Sequence, residues 1–190
     1  YDEPYSWSPD FPYFPLTDDS CNDTVSPVPP YDFGTSDDIC TVASESSLFE
    51  HRLADTAIDW LDYFMNQSSY PNFFFAVGFY RPHLKWIVPL WAYERYANMS
   101  WTPLAQPSLP REIHNIAWSD EAAGSITLAG RRYENAGPFS QAFPDDVSNE
   151  LRKGYYAAVT WMDSQLGRIL ERIKQVEDNT IIVVSSDHGY

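Results

Sequence analysis

Two short polar clusters carry the residues that could do chemistry, and each follows an apolar run. In "YRPHLKW", Arg81, His83 and Lys85 fall within five residues. Cationic groups this close suit an anion, although on its own such a cluster equally describes a solvated loop with a surface histidine. In "SSDHGY", Asp187 and His188 stand side by side before Gly189. A carboxylate next to an imidazole suits a divalent metal ion, and a glycine lets the backbone turn close to it. Brought into one crevice, the two clusters would set a metal ion and local cations around an anionic ester.

The elements that must position them follow from periodicity. "NFFFAVGFY" at 72–80 and "TIIVVSS" at 180–186 are short, continuous apolar runs, as strands covered on both faces are. Each is preceded by a helical pattern. "SLFE" reads as a capping box with Ser47 as N-cap and Glu50 three residues on, opening an amphipathic helix to about Asn66 through Phe49, Leu53, Ala57, Leu61 and Phe64. A second helix follows "FPDD", capped by Asp145 or Asp146, with Val147, Leu151, Tyr155, Val159, Met162, Leu166, Ile169 and Ile173 at alternating spacings of three and four. Helix and buried strand in alternation predict an α/β sandwich with a largely parallel sheet, whose ligands gather at the carboxyl ends of the strands. His83 and the Asp187–His188 pair are then expected to face one crevice.

The stretch between the first predicted strand and the second helix, residues 81–144, is aromatic and broken by prolines, and predicts one short helical turn among loops. Residues 1–45 hold nearly half of the 15 prolines and read as an irregular segment lying over the body of the domain, with 46–190 as its α/β part. Cys21 and Cys40 are either two unrelated thiols or a disulfide pinning that segment. Sequons at Asn22, Asn66 and Asn98 favour the disulfide and an oxidising, secreted or lysosomal compartment.

At 190 residues the chain can bury a substantial core. With 12 basic against 27 acidic residues, a formal charge of −15 excludes a general nucleic-acid binder, which needs clustered Lys and Arg. Positive charge for an anionic substrate must therefore be gathered locally. No apolar run approaches the roughly 20 residues of a membrane-spanning helix. The opening "YDEPYSWSPDFPYFP" lacks a signal-peptide pattern, so any targeting segment is expected to be removed or to lie outside these residues.

The stretches "DDICTVASESSLFEHRLADTAIDWL", "FFFAVGFYRPHLKW", "LRKGYYAAVTWMDSQLGRILERI" and "NTIIVVSSDHGY" resemble the sulfatases of the alkaline phosphatase superfamily. The resemblance covers most of residues 38–90 and 145–190, together with the paired cysteines. It implies hydrolysis of sulfate esters, of sulfated glycans among them. His83 would contact the sulfate near the leaving oxygen, and Asp187 and His188 would be two ligands of an active-site calcium ion; Lys85 has no assured counterpart in the family and is expected only from its place beside His83 as a sulfate or substrate contact. The family attacks with a formylglycine made from the cysteine of a C-x-P-x-R motif, and neither "CNDTV" nor "CTVAS" matches it. The resemblance thus implies a middle segment of a longer sulfatase domain, inactive alone, with the nucleophile and remaining metal ligands supplied by other parts of that domain. Two alternatives stand beside it: a zinc phosphatase or phosphodiesterase of the same superfamily, which His188 would suit, and a secreted glycosylated module that keeps the fold without the chemistry.

Overall fold

A computed structural model describes residues 21, 38–66, 73–99, 101–102, 125–134, 143–175 and 179–187. At its centre lies a parallel pair of strands, β1 (Ile39–Val42) and β2 (Trp86–Pro89), in register from Ile39 opposite Trp86 to Val42 opposite Pro89. Every residue of both strands is buried, as short, largely apolar strands covered on both faces must be. Pro89 ends β2 and starts α2 (Leu90–Ala97), so its missing N–H falls where neither element requires it.

Two long helices hold this pair. The helix α1 (Phe49–Asn66) follows β1, and α3 (Asp145–Ile173), 29 residues and about 43 Å long, spans the fold. Gly154 sits where α3 crosses the strands, and a Cβ there would lie 2.8 Å from Trp86 and 2.9 Å from Ile39. Ala157 and Ala158 extend the same close contact, and Trp161 fills the space beyond, fully buried. Farther along α3, Ile169 meets Ala54, Ala57 and Leu61 of α1 in a second, smaller core. Ion pairs of Arg168 with Asp55 and Arg172 with Asp62 flank that contact.

Between α2 and α3, β3 (Ser125–Leu128) and β4 (Arg131–Glu134) form an antiparallel hairpin. Its two-residue turn, Ala129 and Gly130, takes positive φ at both positions, matching the twist of the strands it joins. Asp38 ties the hairpin to the start of β1, its N–H donating to the Thr127 carbonyl while its carboxylate accepts from the Thr127 N–H at 2.7 Å.

The architecture is α/β with helices on a parallel pair, but the sequence misplaces the strands. Residues 73–80, predicted as a buried strand, have no regular secondary structure and no strand pairing among the described residues. Phe75, Val77 and Phe79 lean on the α1–α3 core while Phe74 is 92% exposed. Residues 180–186 likewise have no regular secondary structure, with Ile181 92% and Val183 80% exposed. An apolar run records what two covered faces require, and among the described residues only one face of 73–80 is covered. The short helical element expected within 81–144 is α2, but regular structure also appears where loops were expected: β1 lies within the proline-rich N-terminal stretch, and β2 and the hairpin lie within 81–144.

The helices form where predicted, with different capping. Pro144, not an aspartate, precedes α3, and no side chain caps it; Asp145 and Asp146 occupy the first turn, where carboxylates complement the helix dipole. The capping box at α1 does not form. Helix α1 starts at Phe49, Ser47 Oγ bonds the Ser44 carbonyl, and Glu50 turns into the core, fully buried. The buried face of α3 is also rotated from the predicted stripe: Glu150, Gly154, Ala157, Trp161 and Gln165 face inward, while Met162 and Leu166 are half-buried.

Candidate functional site

Residues 80–85 connect the segment 73–80 to β2, and their geometry is set by hydrogen bonds at both ends. The His83 N–H donates to the Tyr80 carbonyl at 3.1 Å, closing a turn. Trp86 anchors the exit, its indole N–H donating to the Pro82 carbonyl at 2.7 Å and its backbone N–H to the Asp38 carbonyl at 2.8 Å. The Arg81–Pro82 and Leu84–Lys85 peptide bonds are cis. His83 and Lys85 are exposed on this loop, and Arg81 is buried beneath it.

The imidazole of His83 is held on one side. Its Nδ1 lies 2.6 Å from the Leu84 carbonyl and 2.7 Å from the Tyr80 hydroxyl, and that hydroxyl donates to the same carbonyl at 2.9 Å. A carbonyl oxygen can only accept, so Nδ1 carries a proton. The Tyr80 and His83 rings also touch, tilted by 33° with centroids 4.7 Å apart, which restricts the imidazole plane. The second nitrogen, Nε2, has no hydrogen-bond partner among the described residues and belongs to an exposed side chain. With its tautomer set by the other nitrogen, such an atom is ready to accept a proton or, once protonated, to bond an anionic oxygen.

Asp187 is exposed at the carboxyl end of 180–187, and His188 lies outside the described residues. Among the described residues no three His, Cys, Asp or Glu side chains gather closely enough to hold a metal. A calcium ion takes six to eight oxygens, so the Asp187 carboxylate alone could not hold one, and the described residues do not complete a site. Strand pairing does not join 73–80 to 180–186 among the described residues; the crevice expected from such pairing is therefore not formed by it here.

Cys21 and Cys40 are bonded to each other, with Cα atoms 6.1 Å apart, and both are buried. Neither thiol is available as a nucleophile. Asn66 ends α1 and Asn98 ends α2, both exposed; Asn22 lies outside the described residues.

Tyr80, which touches His83, and Glu50 and Trp161, which lie with Arg81 beneath the loop, are not marked by the sequence as functional. Tyr80 was counted in a strand and Glu50 in a cap, and Trp161 was passed over on its helix. The signal for Glu50 was present, since it shares a face with Ala54, Ala57 and Leu61 at helical spacing, and a carboxylate in an apolar stripe requires a buried partner.

Helices packed on a parallel strand pair make this an α/β protein, and the chain belongs to the sulfatase family, whose model matches residues 9–190. Within that family its motifs resemble iduronate-2-sulfatase. The chain is similar to iduronate 2-sulfatase of Homo sapiens, 29% identical over 198 residues that cover 100% of this chain and 34% of the relative. The Mus musculus iduronate 2-sulfatase is 28% identical over the same extent. A sulfatase of Formosa agariphila is 30% identical over 139 residues, 70% of this chain and 25% of the relative. The chain thus spans about a third of the length of the curated iduronate 2-sulfatases it matches.

Proposed function

We propose that these residues are the part of a sulfatase that supplies the leaving-group side of its pocket, in a protein that hydrolyses sulfate esters of glycans, iduronate 2-sulfate esters being the first to test. His83 contacts the sulfate through Nε2 near the leaving oxygen, and Lys85 adds a second positive contact. Asp187 and His188 contribute to a divalent metal site, calcium by the family pattern, whose other ligands come from elsewhere in the domain. That ion would supply fixed positive charge beside the sulfate. The nucleophile, a formylglycine by the same pattern, also lies outside these residues, because both cysteines here are bonded to each other. The disulfide, with the exposed sequons at Asn66 and Asn98, supports a glycosylated protein of a secreted or lysosomal compartment.

The observation that carries this reading is the fixed ring of His83. A histidine whose Nδ1 is committed to Tyr80 and Leu84 presents a single nitrogen, which suits stabilisation of charge on one oxygen of a bound ester. The test is turnover by the full-length protein on 4-methylumbelliferyl sulfate beside 4-methylumbelliferyl phosphate. Sulfate hydrolysis is expected to dominate, and His83→Ala is expected to lower kcat roughly 10²-fold or more with an unchanged unfolding midpoint. Preferential phosphate hydrolysis would favour a zinc phosphatase, and no turnover of either ester would favour a binding module.

A further inference from the structure

Glu50 has no part in the site as read from its sequence position, yet it is fully buried at the first turn of α1. Its carboxylate lies between two groups. Trp161 of α3 donates its indole N–H to Oε2 at 3.3 Å, and the Arg81 guanidinium stands 3.5 Å from Oε1. Arg81 is only 5% exposed and lies 5.5 Å from the centroid of the Tyr80 ring. Tyr80 in turn holds Nδ1 of His83. A continuous set of contacts therefore runs from the helix pair to the imidazole.

We propose that Glu50 and Arg81 are positioning residues for His83. An ion pair this deeply buried gives little net stability, because desolvating both charges offsets their attraction. Its geometric effect is larger. Glu50 is fixed by the packing of α1 against α3, and it holds Arg81 at the head of the loop. Arg81 then sets where the Tyr80 ring lies, and Tyr80 sets the plane and tautomer of His83. The catalytic consequence rests on the reading of His83 given above, whereas the structural link does not.

The test uses ring nitrogen shifts of 15N-histidine-labelled full-length protein, assigned through His83→Ala. His83 is expected to show a protonated Nδ1 in the unaltered protein and exchange-averaged tautomers in Glu50→Gln, with circular dichroism unchanged. Where Glu50→Gln does not fold, Arg81→Lys is read in the same way, since it keeps the charge but loses the planar fork. An unchanged His83 signature in a folded variant of either kind overturns the proposal. On a sulfate ester, Glu50→Gln is expected to lower kcat about tenfold or more with KM unchanged, and to add nothing in the His83→Ala background. Equal losses in both backgrounds would mean a purely structural role. A protein without sulfatase activity but with the expected shifts would refute the function and leave the positioning link standing.

Discussion

In its proposed role His83 depends on what binds its other nitrogen. The Tyr80 hydroxyl and the Leu84 carbonyl occupy Nδ1, so orientation and tautomer are set within the protein itself. Tyr80→Phe keeps the ring but removes the hydroxyl, and is expected to lower kcat on a sulfate ester several-fold, well short of the loss from His83→Ala. Steady-state kinetics on the full-length protein check this, and equal losses in the two variants would mean that Tyr80 does more than orient. Asp187 is expected to act at the metal. Asp187→Asn removes one negative oxygen from a site that prefers charged carboxylates, so calcium titration of the full-length protein should show affinity weakened by about tenfold or more. Unchanged affinity would remove Asp187 from the ligand set.

At the scale of elements, the contact between α3 and the strand pair decides whether the loop bearing His83 has a firm base. Gly154 leaves room for Trp86 and Ile39, and Trp86 fixes the end of that loop. Gly154→Val should destabilise by about 2–3 kcal/mol, since a Cβ alone already meets both side chains below 3.0 Å. Gly167 on the same helix has nothing within 4 Å of its would-be Cβ, so Gly167→Ala should stabilise by about 0.5–1 kcal/mol. Denaturant midpoints check the pair, and similar effects at both positions would contradict the packing described here. Both helices could be read from the sequence because apolar spacing over 18 and 29 residues is hard to produce otherwise. The strands could not be read as well. Ile39–Val42 is four residues long and embedded in a proline-rich stretch, while "FFFAVGFY" and "IIVV" have the composition of central strands without neighbours among the described residues. His83 and Asp187 stood out as polar residues after apolar runs. Glu50 did not, because an acidic residue three after a serine matches a helix cap, and that match masks its place on the apolar face of α1, which its packing against Trp161 and Arg81 reveals.

Over the whole molecule, cohesion depends on tying the N-terminal stretch to the strand pair. The Cys21–Cys40 bond joins that stretch to a fully buried strand. Replacing both cysteines by serine should lower stability by about 3 kcal/mol, seen as an earlier guanidinium midpoint; an unchanged midpoint would mean that the stretch is held by other contacts. With a formal charge of −15, the proposed attraction of an anionic ester would have to come from the few cations around His83 and from a metal ion. That His83 and Asp187 serve one sulfate-ester site is the central claim, and the measurement that tests it most directly is a crystal structure of the full-length protein with calcium and sulfate. The account predicts His83 Nε2 within hydrogen-bond reach of a sulfate oxygen, an Asp187 oxygen on the metal, and the two residues within about 10 Å of each other around one pocket. His83 more than about 15 Å from Asp187, with sulfate bound away from both, would contradict it.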